Sequence, residues 1–155
     1  MSQAKILIVE DNASKEVKVR KALAPLGRET IWMRSITDAF RLVTEQPWEL
    51  IILDMTFLVD RSAGFDSSRQ SMAGVELLQF MARRRLHIPV IVATSHDAFS
   101  SAQLGTIEGV AALDDMLRDA FPEVYRATIK VDLSEDEWQT RLLGAARSII
   151  EASAA

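Results

Sequence analysis

The chain contains no cysteine. Disulfides, thiolate metal sites and cysteine nucleophiles are therefore excluded, and the composition suits a reducing cytoplasm. A basic excess is also lacking: 18 Lys and Arg stand against 22 Asp and Glu, a net charge of −4. With no surplus of cations to neutralise phosphates, nucleic acid is not an expected partner. No apolar run approaches the length of a membrane span. The N-terminus, MSQAKILIVEDN, lacks the apolar core of a signal peptide. The expectation is a cytoplasmic protein with neither membrane nor nucleic-acid contacts. No internal repeat or low-complexity tract is found. What remains is ordinary globular composition, 155 residues with 48% hydrophobic and 26% charged. That fits a single domain over 1–155, large enough to bury a core without disulfides or structural metal.

Three short runs are rich in Ile, Val and Leu: Lys5 to Val9, Leu50 to Leu53 and Ile88 to Ala93. Each is nearly continuous rather than alternating, as in strands covered on both faces. Weaker strands are expected at Glu29 to Met33 and Ala127 to Val131. Between them the period turns helical. Val17, Arg20, Lys21, Leu23 and Ala24 belong to a helix that Pro25 and Gly27 end. Ser35 and Asp38 resemble a capping box opening a helix that Gln46-Pro47 closes. Met72 to Arg84 carries a broad apolar stripe. Ile107, Val110, Leu113, Leu117 and Ala120 recur at helical spacing, with Phe121-Pro122 following. A second box, Ser134 and Glu137, opens a helix running to Glu151. Strand and helix alternate five times. This predicts a doubly wound α/β fold, a five-stranded parallel sheet of flavodoxin-like type in a three-layer sandwich.

In such sheets the working site lies beyond the carboxyl ends of the strands. The residues there are Glu10 and Asp11 after the first run, Asp54 after the third strand, Thr94 and Ser95 after the fourth, and Lys130 in the last. Clustered carboxylates repel one another unless a cation sits among them. They are hard oxygen donors suited to Mg²⁺, which takes one or two carboxylates together with waters and phosphate oxygens. A carboxylate beside such a metal can act as a nucleophile toward phosphorus. The metal and a lysine would offset charge on the phosphoryl oxygens. A helix cap or a solvated strand end is the plain alternative for each acid.

"KILIVEDN", "WELIILDM" and "PVIVATS", in that order, resemble the receiver domain of bacterial response regulators over roughly Lys5 to Glu151. The resemblance implies that Glu10 and Asp11 are the metal-binding acidic pair and Asp54 the phosphoacceptor. Thr56 would lend a backbone carbonyl to Mg²⁺. Thr94 would be the switch hydroxyl and Lys130 the phosphate-contacting lysine. The phosphoryl group would come from a histidine kinase or histidine phosphotransfer protein.

Three departures from the family pattern stand out. Asp54 and the matching helix glycine, Gly74, lie 20 positions apart, against the roughly 2 to 6 residues usual for such connections. Thr56 to Ala73 is therefore an insertion beside the site. Thr94 and Lys130 lie 36 positions apart, also long for a receiver. Val131 stands where the family has a cis-proline after its lysine. Tyr125 is the nearest candidate for an aromatic switch residue. His96 is a rim residue rather than a metal ligand, since His87 is the other histidine and precedes its strand. Trp32, Trp48 and Trp138 are core or boundary residues, and the acidic run Asp132 to Glu137 is a solvated cap.

The expected function is a stand-alone receiver in two-component or phosphorelay signalling. It would not be an enzyme beyond accepting and losing its own phosphoryl group. Ile107 to Phe121 and the C-terminal helix would present the face for a downstream protein, or for a homodimer. The alternative is a pseudo-receiver, a protein-interaction module independent of phosphorylation. A phosphohydrolase is disfavoured because Thr56 stands where a second acid is needed.

Overall fold

The computed structural model describes residues 5–45, 47–55, 57–58, 70–71, 73–95, 98–101 and 105–154. In chain order the strands are β1 (Lys5–Val9), β2 (Glu29–Met33), β3 (Trp48–Leu53), β4 (Phe57–Leu58), β5 (Gln70–Ser71), β6 (Val90–Thr94), β7 (Ala98–Ser101), β8 (Gly105–Glu108) and β9 (Tyr125–Lys130). The helices are α1 (Ala13–Leu23), α2 (Ile36–Glu45), α3 (Ala73–Arg83), α4 (Val110–Ala120) and α5 (Glu137–Ala154). Five parallel strands form the central sheet in the order β2-β1-β3-β6-β9. This is the doubly wound, flavodoxin-like sandwich that the alternation of runs predicts.

The continuous apolar runs become the three inner strands because both of their faces are covered. Leu7 and Val9 of β1, Ile51 and Leu53 of β3, and Val90 and Val92 of β6 point to one side. There α2, α3 and α4 bring Leu42, Val43, Leu77, Leu78, Met81, Leu113 and Leu117 against them. Ile6, Ile8, Leu50, Ile52, Ile91 and Ala93 point to the other side, onto α1 and α5. On α5, Trp138, Leu142, Ala146 and Ile150 recur every fourth residue and are all buried. Each large side chain so enclosed contributes about 1.5–3 kcal/mol. Trp48 and Trp138 are core residues, while Trp32 lies half-buried at the boundary.

Two expectations change. The helix expected from Ile107 begins at Val110, because Gly105–Glu108 pairs antiparallel with Ala98–Ser101. Gly109, at φ +89°, makes the break between ribbon and helix, a conformation side-chain-bearing residues rarely adopt. Ser134 does not cap α5. The Asp132 carboxylate accepts its N–H at 3.0 Å and its hydroxyl at 2.7 Å, which holds Ser134 in a side-chain-closed turn ahead of the helix. After β3, Phe57 pairs with Ser71 and Leu58 with Gln70 in a short antiparallel ribbon. Among the described residues, no helix is long and apolar enough to cross a membrane.

Candidate functional site

β1 and β3 lie side by side, with Val9 opposite Leu53. The Asp54 N–H donates to the Val9 carbonyl at 3.0 Å, and the Glu10 N–H to the Met33 carbonyl at 3.0 Å. Glu10 and Asp54 thus each carry the ladder one residue past its strand, and their side chains reach the same rim. α1 begins at once. The Asn12 side-chain oxygen accepts from the Lys15 N–H at 3.0 Å as its N-cap, and the Asn12 N–H donates to Glu10 Oε2 at 3.1 Å. Trp32 donates from Nε1 to the Glu10 carbonyl at 2.7 Å. With the backbone held this way, Glu10, Asp11 and Asp54 each bring a carboxylate oxygen within 4.8 Å of the others.

Between two of these acids lies a lysine that strand-end reasoning passed over. Lys15 Nζ stands 2.7 Å from Glu10 Oε1 and 3.2 Å from Asp54 Oδ1. It also donates to the Ala93 carbonyl at 2.7 Å. The contact with Asp54 is an ion pair whose alignment falls short of a hydrogen bond. Lys15 is 2% exposed, Glu10 3% and Asp54 5%, so this charge pairing is shielded from water. Two features of the sequence mark Lys15. It sits on the buried α1 stripe with Val19 and Ala22. It also occupies the first turn of a helix, where the positive helix end disfavours a cation that lacks acids beside it.

Burial is the largest influence on Glu10 and pushes its pKa up from the ordinary 4.5 to about 7. Lys15 opposes that rise, and the nearby Asp54 charge adds to it.

Thr94 and Lys130 lie along the same edge. Thr94 ends β6, fully buried, and pairs in register with Lys130 at the end of β9. The Val131 N–H donates to the Thr94 carbonyl at 2.8 Å. Lys130 Nζ donates to the Ser95 carbonyl at 3.0 Å. Gly74 packs on the acceptor strand, its N–H donating to the Met55 carbonyl at 3.2 Å. Tyr125 is buried at the opposite end of β9 from Lys130, its hydroxyl shared by Asp114 and Thr128. Burial, then the Asp114 bond, pushes its pKa up. Thr56 and His96 lie outside the described residues.

The fold is that of response-regulator receiver domains. The signal receiver domain of an HD domain-containing protein from Pseudomonas fluorescens superposes with a TM-score of 0.63, at 18% identity, covering 97% of each chain. Among curated proteins, the chain is similar to the Detocs response regulatory protein DtcB of Enterobacter cloacae, 24% identical over 149 residues, covering 90% of this chain and 95% of that one. It is also similar to the uncharacterized protein y4jR of Sinorhizobium fredii, 27% identical over 151 residues, covering 94% and 98%. No family model matches the chain.

Proposed function

We propose that this chain acts as a response-regulator receiver, accepting a phosphoryl group on Asp54 beside a Mg²⁺ ion held by Glu10, Asp11 and Asp54. One observation carries this reading: three carboxylate oxygens within 4.8 Å of one another at the carboxyl ends of β1 and β3. An all-oxygen donor set of that size fits a hard divalent cation, and the Thr56 carbonyl belongs to the same expected set. Similarity to a protein named as a response regulator supports it.

The chemistry follows from the residues. Lys15 Nζ stands 3.2 Å from Asp54 Oδ1, a positive charge beside the carboxylate that would act as the nucleophile. An Asp54 oxygen would attack the phosphorus of a phosphohistidine on a histidine kinase or phosphotransfer protein. The P–O bond forms as the P–N bond breaks, and the imidazole nitrogen keeps the bonding pair and takes up a proton from water. Mg²⁺, when bound, offsets charge on the phosphoryl oxygens. Thr94 and Lys130 close adjacent strands of the same rim and supply a hydroxyl and an ammonium to the attached group. A shift in their positions on phosphorylation would bias the output face. On α4 the apolar side is spent on the core through Leu113 and Leu117. A downstream partner or second copy would therefore meet its outer face, where Asp115, Arg118 and Asp119 are exposed, together with α5.

The pseudo-receiver reading has one observation in its favour, the Lys15 ammonium that partly balances the acids without a metal. Intact-mass spectrometry after incubation with Mg²⁺ and acetyl phosphate separates the two. One added phosphoryl group on the wild type and none on Asp54→Asn supports the receiver. A folded sample that gains no mass from acetyl phosphate or from a cognate kinase is a pseudo-receiver.

A further inference from the structure

We propose that Lys15 is a resident cation of the acidic cluster, set against the divalent ion, so that its charge lowers the affinity of the site for Mg²⁺. The inference rests on the metal site proposed above and adds a determinant of its occupancy.

The geometry is specific. An ammonium has three N–H donors, and Lys15 has three oxygens around it: Glu10 Oε1 at 2.7 Å, the Ala93 carbonyl at 2.7 Å and Asp54 Oδ1 at 3.2 Å. Two of those oxygens belong to residues of the carboxylate cluster. The lysine is thus committed to the groups a metal would use. It is also held there. Its backbone N–H is tied to the Asn12 cap at 3.0 Å, and its side chain is 2% exposed. A surface lysine could swing into water when a metal arrives. This one has its stem enclosed on the buried side of α1.

Charge decides the direction of the effect. Glu10, Asp11 and Asp54 carry three negative charges when ionised, and Lys15 cancels one. An approaching divalent cation meets a weaker attraction than three bare acids would give, and it meets repulsion from an ammonium against the same oxygens. Removing the lysine charge leaves the acids to repel one another, which costs stability without metal and strengthens metal binding. The metal then replaces the lysine as the source of compensation.

The test is Mg²⁺ titration by isothermal calorimetry at one fixed pH, with thermal unfolding followed in chelator and in excess Mg²⁺. Wild type, Lys15→Met and Lys15→Arg are compared. Lys15→Met is expected to bind Mg²⁺ about tenfold more tightly or better. It should melt lower than wild type in chelator and recover most of that loss in Mg²⁺. Lys15→Arg keeps the charge and should bind Mg²⁺ much as wild type does, which a purely packing role for Lys15 does not require. If Lys15→Met folds only in Mg²⁺, chelator-reversible folding supports the proposal. If it does not fold at all, Lys15→Gln is read in the same way. Equal or weaker Mg²⁺ binding by the folded neutral variant overturns the proposal while leaving the metal site standing. Absence of Mg²⁺ binding by wild type and variant alike removes the metal site and the proposal together. Phosphorylation plays no part in the readout, so failure of the phosphoacceptor reading registers separately.

Discussion

Gly74 lies directly on the backbone of Asp54. A Cβ at position 74 would come 2.7 Å from the Asp54 carbonyl oxygen and 3.0 Å from Met55 Cα. The obstacle is backbone, so it cannot rotate away. Gly74→Ala should push α3 off the end of β3 at a cost of about 1–3 kcal/mol. Urea denaturation measures the loss. Because the displaced strand end carries Asp54, the proposed phosphoacceptor, phosphorylation by acetyl phosphate under that proposal should slow in parallel. A variant as stable as wild type would refute this packing.

Stability should fall with rising pH in metal-free buffer. Burial raises Glu10 in the folded chain from 4.5 to about 7. The folded state therefore holds this proton more tightly than the unfolded one. The stabilising contribution is fully present below about pH 4.5 and is lost as pH rises through about 7. The full span is worth roughly 3 kcal/mol. Glu10→Gln should flatten that part of the profile. Denaturant melts of both chains at about pH 5 and about pH 8 decide it.

Trp138 fastens α5 to the sheet and to the loop before it. It is 1% exposed, and its Nε1 lies 3.0 Å from the Asp132 carbonyl and 3.1 Å from that of Glu135. Trp138→Ala should cost about 3–5 kcal/mol. Trp138→Phe keeps most of the volume and loses the shared donor, for about 1–2 kcal/mol. Equilibrium unfolding of the two variants should give that order.

Tyr125→Phe should separate stability from site chemistry. Its hydroxyl joins Asp114 of α4 to Thr128 of β9. Losing it should cost about 1 kcal/mol. Tyr125 begins β9 and Lys130 ends it, so the phosphorylation proposed for Asp54 should stay at its wild-type extent. A large drop in phosphorylation would show that the α4–β9 link reaches the rim.

Much of the architecture is written in local pattern. Continuous apolar runs such as Ile6 to Val9 and Leu50 to Leu53 can only be strands covered twice, and the helical stripes between them supply the covers. Parallel strands then force every strand end bearing Glu10, Asp54, Thr94 and Lys130 to one edge. The convergence of the three acids was legible for that reason. Helix starts were less so. Ser134 and Glu137 have the spacing of a cap, yet the Asp132 carboxylate takes the Ser134 donors first, a competition between neighbours that spacing does not rank. At Ile107 the helical period continues a residue pattern that strand pairing with Phe99 overrides.

The sequence by itself determined the sheet, its two coats and the rim where the acids meet, because periodicity and strand direction are local properties of the chain. Only the tertiary structure decided which cation stands among those acids. Lys15 is separated from Ala93 by 78 positions, and nothing in the spacing of either residue requires their contact. It arises because α1 folds back over β1 and turns its buried side toward the ends of β3 and β6. Inside a site shielded from water, that placement outweighs the helix-end preference that would otherwise keep a lysine away.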